Sequence, residues 1–344
     1  FDLKAEDAVL LLECRQVTFS QDGAMQTTVH RVVWIGTEVG IRGYADLRIP
    51  WNTATSTLDV EILRTWREGR WWPDAEKVSP TAVVPTLPHA LDKADDYTVM
   101  RETMLLHDGV ELGCIMETAY IITERGVPAA GGIFVMPQDD PVVLCELRVM
   151  TPPGTDIRHE ELNGAAVPES LNPAQGAALL WRGKNLPALR QPVTASPEAY
   201  EPTVVWSTWQ SWQDLAEHWL LPLRNAASLD PDQAADLQTK LNPAQSPRQK
   251  LAAVGDYLNE MVRPVHYGDH FWRFAPRPAA RTLATAYGHD LDRAALATAL
   301  LQEAGFGVEP MFIGQGAVLV SPDLPRLQDM GLVMLQVPLV RDTC

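Results

Sequence analysis

The densest group of side chains able to hold a metal or pass a proton lies late in the chain. It is His266-Tyr267-Gly268-Asp269-His270, followed nineteen residues later by His289-Asp290-Leu291-Asp292. Imidazole nitrogens and carboxylate oxygens are the donors a divalent first-row metal takes, and the N-terminal end of a helix favours negative charge. Two chemistries follow. In one, His266, His270, His289 and Asp290, with Asp292 beside them, form a metal or proton-sharing site. In the other, Asp290 or Asp292 caps a helix by accepting from its first free N–H groups, and the histidines are loop and packing residues. Gly268 argues against both histidines of the first group lying on one helical face.

A second cluster is aromatic. Trp206, Trp209, Trp212 and Trp219 suggest a platform for a carbohydrate or another ring-bearing ligand. Trp212, Leu215, Ala216 and Trp219 recur at helical spacing, however, which describes a core face at a domain interface. The cysteines, Cys14, Cys114, Cys145 and Cys344, include no CxxC and no neighbouring His pair, so neither a zinc ribbon nor a thioredoxin motif is available. The first three sit in strand-like apolar runs and read as buried thiols; export would instead allow two of them to pair. Missing too are the GxSxG elbow, the GxxxxGK[ST] phosphate loop and HExxH. Gly314 and Gly316 lack the third glycine and the helix of a dinucleotide turn.

The elements that must position these groups change character along the chain. Val9 to Phe19 and Thr27 to Ile35, joined at Asp22-Gly23, read as a β-hairpin. Thr57 to Thr65, Tyr97 to Leu106, Gly113 to Thr123, Gly132 to Met136 and Val142 to Val149 continue the strand pattern, with Gly, Pro and Asp clusters at the spacing of a sandwich. From Leu179 the chain reads as a strand and then a Pro-interrupted strap. Helix signals begin at Ser211, with further helices over Asp230 to Leu241, Gln249 to Val262 and Asp292 to Ala304, the last closed by Gly305. Val308 to Ile313, Ala317 to Val320 and Gly331 to Leu339 read as short strands, which completes an α+β order.

The segment Tyr287-Gly288-His289-Asp290-Leu291-Asp292-Arg293-Ala294, with Leu296, Leu300, Leu301 and Ala304-Gly305-Phe306 behind it, resembles the nucleophile helix of bacterial transglutaminase-like proteins. There a Gly-Asp-Cys-Lys-Asp-Lys-Ala pattern leads into an apolar helix. Arg277 to Leu283 is similar to the segment just upstream of it. Ala8 to Leu12, Asp22-Gly23, Val29 to Ile35, Gly113 to Tyr120, Trp181 to Leu186 and Trp206 to Trp212 resemble the β-rich domain of unknown function that often precedes that domain in exported bacterial proteins.

The resemblance implies a multidomain chain: an all-β, sandwich-like domain over residues 1–200, then an α+β, papain-like domain over 201–344, working in the periplasm or at the cell surface. It would also imply a Cys-His-Asp triad, which this sequence does not supply. Asp290 stands at the Cys position and His289 at the preceding Asp position. Met330 and Gly331 stand where the family's His would be. Independently of that alignment, the only cysteine after position 145 is Cys344 and the last histidine is His289, so no Cys-then-His order exists in the second domain. The family's Asp would lie on a strand at or beyond Asp342, so the second domain reads as incomplete at its end. Phe1-Asp2 in place of an initiator Met reads as a processed protein or a piece of a longer one.

At the scale of the whole chain, 344 residues suggest roughly two domains at about 150 residues each. With 28 Lys and Arg against 44 Asp and Glu, the formal charge of −16 opposes any grip on nucleic acid by bulk electrostatics. No apolar run approaches the roughly 20 residues that span a bilayer. The expectation is therefore a non-catalytic transglutaminase-like module, without a cofactor, that binds peptides, proteins or a cell-surface polymer. Two other expectations stand beside it: a hydrolytic or metal-assisted site rebuilt from His289, Asp290 and Asp292, and a subunit of a surface assembly joined through its edge strands.

Overall fold

A computed structural model describes residues 2–3, 5–74, 77–171, 176–189, 196–266, 275–314 and 321–338. His270, Cys344 and the strand expected over Ala317 to Val320 lie outside the described residues. The chain divides into two compact units that exchange short stretches. The first holds the residues up to Pro88, Thr98–Trp209 and a segment ending at Arg326; the second holds His89–Tyr97, the stretch from Gln210 and the stretch from Leu327.

The first unit is built of strands. In chain order they are β1 (Ala8–Phe19), β2 (Ala24–Ile35), β3 (Asp46–Asn52), β4 (Ser56–Arg67), β5 (Arg70–Trp72), β6 (Val83–Thr86), β7 (Met100–Leu106), β8 (Ile115–Arg125), β9 (Gly131–Val135), β10 (Val142–Thr151), β11 (Arg158–Leu162), β12 (Glu169–Ser170), β13 (Ala177–Leu186) and β14 (Thr203–Ser207). One helix, α1 (Glu38–Tyr44), lies between β2 and β3 and is capped by the Thr37 hydroxyl. Eight strands form one sheet in the order β12-β13-β10-β1-β2-β8-β4-β5, all antiparallel except the parallel β1–β10 pair. Two three-stranded sheets accompany it, β11-β14-β9 and β3-β7-β6.

Strict alternation explains how these sheets bury one another, because residues two apart share a face. Val17, Val33, Cys145, Leu147, Val149 and Trp181 of the large sheet form one apolar cluster with Phe134 of β9 and Val204 and Trp206 of β14. Leu63 and Ile122 form a second cluster with Ile49 of β3 and Leu105 of β7. The register puts both sets on the same face of the large sheet. The hairpin expected at Asp22-Gly23 is present, with Gly23 at φ +81° in the left-handed region that favours glycine.

Two expectations for this unit are corrected. Cys114 precedes β8 instead of lying in a strand, because the residues before it turn back with the Gly113 N–H donating to the Ile35 carbonyl at 2.7 Å. The strand expected from Tyr97 starts at Met100, and Tyr97 belongs to the other unit. Cys14, Cys114 and Cys145 are free thiols, and burial pushes the Cys145 thiol upward, away from the reactive thiolate.

The second unit holds α2 (Trp212–Ala226), α3 (Pro231–Leu241), α4 (Pro247–Met261), β15 (Arg263–Pro264), α5 (Ala279–Thr285), β16 (Tyr287–Gly288), α6 (Asp290–Glu303), β17 (Glu309–Gly314) and β18 (Met330–Gln336). Local chemistry starts the helices where expected. The Ser211 hydroxyl accepts from Asp214 N at 3.1 Å, and Ser246 and Gln249 form a capping box ahead of Pro247. α6 is the centre. Eight of its fourteen residues are buried, so it needs partners all round. Leu296, Ala299 and Leu300 pack with α3, α4 and α5 through Leu237, Val254 and Leu283. Leu291 and Ala295 pack with Leu223 of α2 and Met330 of β18.

Candidate functional site

The start of α6 is fixed by the backbone before it. Ala286 ends α5 in the left-handed region at φ 59°. β16 then pairs in parallel with β15, and the Val265 N–H donates to the Gly288 carbonyl at 2.9 Å. Gly288 must be glycine, because a Cβ there would lie 2.8 Å from Thr282 Cγ2 and 3.2 Å from Asp292 Cβ.

The cap is not an aspartate. α6 begins two residues earlier than expected and His289 takes the N-cap position: its Nδ1 accepts from Leu291 N at 3.3 Å. An accepting Nδ1 leaves Nε2 as the nitrogen for the ring proton. Asp292, at the third helical position, accepts from His289 N at 3.4 Å and completes a capping box. Asp290 is the first helical residue and is exposed, whereas His289 and Asp292 are 4% and 2% exposed. His266 is exposed on the segment after β15. The structure thus brings His289 and Asp292 together and turns Asp290 and His266 to solvent. Among the described residues, no group of three His, Cys, Asp or Glu side chains could hold a metal ion.

Asp292 is fully engaged. Its Oδ1 accepts from Arg277 N at 2.7 Å and its Oδ2 from Arg277 Nε at 2.9 Å. The Tyr97 hydroxyl donates to the same Oδ2 and accepts from His289 N at 2.7 Å. Arg277 extends the network: its guanidinium donates to Asp96 Oδ2 at 2.9 Å, Thr285 Oγ1 at 3.2 Å and the Tyr287 carbonyl at 2.6 Å. It also lies 4.5 Å over the Tyr97 ring and 4.9 Å over the Tyr287 ring. Arg281 closes the far end on Asp96 with bonds of 2.7 and 2.5 Å.

Two arginines and two aspartates therefore balance in charge within one hydrogen-bonded group. The Arg281 and Arg277 guanidinium groups hold the Asp96 carboxyl down at about 2. Burial and the neighbouring Asp292 push the Tyr97 phenol upward, so it stays a donor. Burial opposes the charge on Arg277, but Asp292, Tyr97 and Asp96 outweigh it and the guanidinium stays charged.

Sequence reasoning reached His289, Asp290 and Asp292 but missed Asp96, Tyr97 and Arg281, and met Arg277 only as part of a longer segment. The one local signal was the pair of acids, Asp95-Asp96, ahead of an apparent strand. Of the tryptophans singled out, Trp206 and Trp209 are buried in the first unit, and Trp212 packs partly buried beside α6.

With this geometry in hand, likeness to other proteins can be placed on the chain. Residues 21–190, just under half of it, match the family described as a domain of unknown function with solved structure, DUF3857. No curated protein matches. The crystal structure of a "putative protease" from Parabacteroides distasonis ATCC 8503 superimposes with a TM-score of 0.83 at 20% identity. That superposition covers 96% of this chain, while this chain spans 65% of that protein's length. Residues 21–190 thus match the DUF3857 model, and the chain as a whole shares the fold of that crystal structure.

Proposed function

We propose that the chain is a non-catalytic relative of bacterial transglutaminase-like proteins, acting outside the cytoplasm as a binding or structural module on peptides, proteins or cell-surface polymers. In this reading residues 1–200 are the β-rich domain and residues 201–344 the papain-like α+β domain, apart from the short exchanges of chain. The start of α6 carries the proposal. At the position the resemblance assigns to a nucleophilic cysteine stands Asp290, and a carboxylate attacks an amide far less readily than a thiolate. None of the described cysteines belongs to the helical unit.

The neighbours offer no substitute. Asp292 spends its oxygens on Arg277, Tyr97 and the His289 backbone, and the His289 Nδ1 is used as a cap. A group already saturated with donors makes a poor general base. The fold shared with a protein called a protease supports descent from a hydrolase scaffold.

The test uses the whole chain with fluorogenic peptide amides and with amine incorporation into casein, for wild type and Asp290→Ala. The expected result is no turnover above buffer for either protein. Amide turnover by the wild type that disappears in Asp290→Ala would overturn the proposal and favour a rebuilt hydrolytic site.

A further inference from the structure

The face of the eight-stranded sheet opposite its apolar clusters carries an aromatic row. The register sets Trp34 opposite Ile115, Ile115 opposite Trp66, and Trp66 opposite Trp71. Paired residues of antiparallel strands share a face, so three indoles and an isoleucine line up across β2, β8, β4 and β5. Trp66 is 38% exposed, and the other three are half-buried. The Trp66 and Trp71 rings meet edge to face, 5.3 Å apart. With neighbouring strands about 4.8 Å apart, Trp34 and Trp66 stand about 10 Å apart.

The next row is polar. Arg64 pairs with Glu117 at 2.7 Å, His30 Nε2 meets the other Glu117 oxygen at 2.9 Å, and the Arg64 guanidinium lies 4.1 Å over Trp71. Arg64 and His30 keep 40% and 34% of their side chains exposed.

We propose that this face is a binding platform for a neutral polysaccharide chain. The C–H bonds on a pyranose face are polarised towards positive and pack on the electron-rich face of an indole, while the ring's hydroxyls both donate and accept hydrogen bonds. The first demand is met by the exposed Trp66, with Trp34 two strands away, since Arg64 already lies over Trp71, and the second by Arg64, His30 and Glu117 alongside them. Charge selects the ligand class. Arg64 is neutralised by Glu117, so the platform has little charge of its own, and a chain at −16 repels an acidic polymer. An apolar protein partner would have to cover the Glu117 carboxylate with the core of its interface, where acidic residues are depleted. The platform lies wholly in the first unit and does not depend on the chemistry at α6.

The test titrates the full chain with cellohexaose and chitohexaose, followed by tryptophan fluorescence and calorimetry, for wild type, Trp66→Ala, Trp66→Tyr and Arg64→Gln. Circular dichroism and thermal melting check each fold. Expected is saturable binding of at least one hexasaccharide, weakened about two- to tenfold in Trp66→Ala, partly retained in Trp66→Tyr and weakened in Arg64→Gln. The proposal is overturned if the wild type binds neither hexasaccharide. It is equally overturned if folded Trp66→Ala, or Trp66→Tyr and Arg64→Gln together should the alanine variant unfold, bind as the wild type does, or if poly-L-glutamate binds in preference.

Discussion

The Asp96 carboxylate shows how one side chain ties pH to stability. Its bonds to Arg281 and Arg277 hold it at about 2 against an ordinary 3.8. Between those values the unfolded chain binds the proton and the folded chain does not, so stability rises with pH across that window. The contribution is complete above about pH 4 and is lost as pH falls through about 2. Urea midpoints measured from pH 6 down to pH 2 should therefore fall in the wild type through this window, more steeply than in Asp96→Asn. Parallel curves would refute the assignment. At this scale the sequence was partly legible. His289, Asp290 and Asp292 stand out because titratable groups cluster before an apolar helix. Which of them caps could not be read: Asp outranks His as an N-cap, and only the capping box with Asp292 shifts the start of α6 to Asp290. Asp96 and Tyr97 lie more than 180 residues before their partners, a distance over which no local pattern carries information.

Elements were more legible than their partners. Alternation marks the hairpin of β1 and β2, and Ser211, Asp230 with Pro231, and Ser246 with Pro247 start α2, α3 and α4. The parallel pairing of β1 with β10, by contrast, joins segments more than 120 residues apart and depends on the burial of both strands. The tightest element junction is the entry to α6. Gly288→Ala would place a methyl group 2.8 Å from Thr282 Cγ2, whose side chain is fully buried. Such overpacking costs about 1–3 kcal/mol, so chemical unfolding should show a lowered midpoint with an unchanged slope. A variant as stable as the wild type would mean that α5 yields without cost.

The whole molecule is laced. Among the described residues, chain passes from one unit to the other at 88/89, 97/98, 209/210 and 326/327, and Ser321 to Arg326 again belong to the first unit. The helical unit borrows Asp96 and Tyr97 from a stretch between β6 and β7. In return the β-rich unit takes a late segment in which Ser207 Oγ donates to the Pro325 carbonyl at 2.6 Å, and Arg326, fully buried, donates to the carbonyls of Ser321 at 3.1 Å and Leu324 at 2.9 Å. A fragment of residues 210–344 would keep the Asp292–Arg277 pair but lose Tyr97 and Asp96, taking one acceptor each from the buried His289 N–H and the Arg277 guanidinium, and an unsatisfied buried donor costs about 1–3 kcal/mol. That fragment should show no cooperative thermal transition, whereas one in which residues 89–97 are fused ahead of it should recover one. A sharp transition in the bare fragment would show that the borrowed stretch is dispensable.

The lacing also constrains descent. A gene segment can be exchanged between relatives only if its product carries its own partners, and here the obvious breakpoint near residue 209 separates Tyr97 from Asp292. A recombinant spliced there would inherit one parent's tyrosine and the other's aspartate. The stretches before and after residue 209 that meet in the helical unit are therefore bound to vary together.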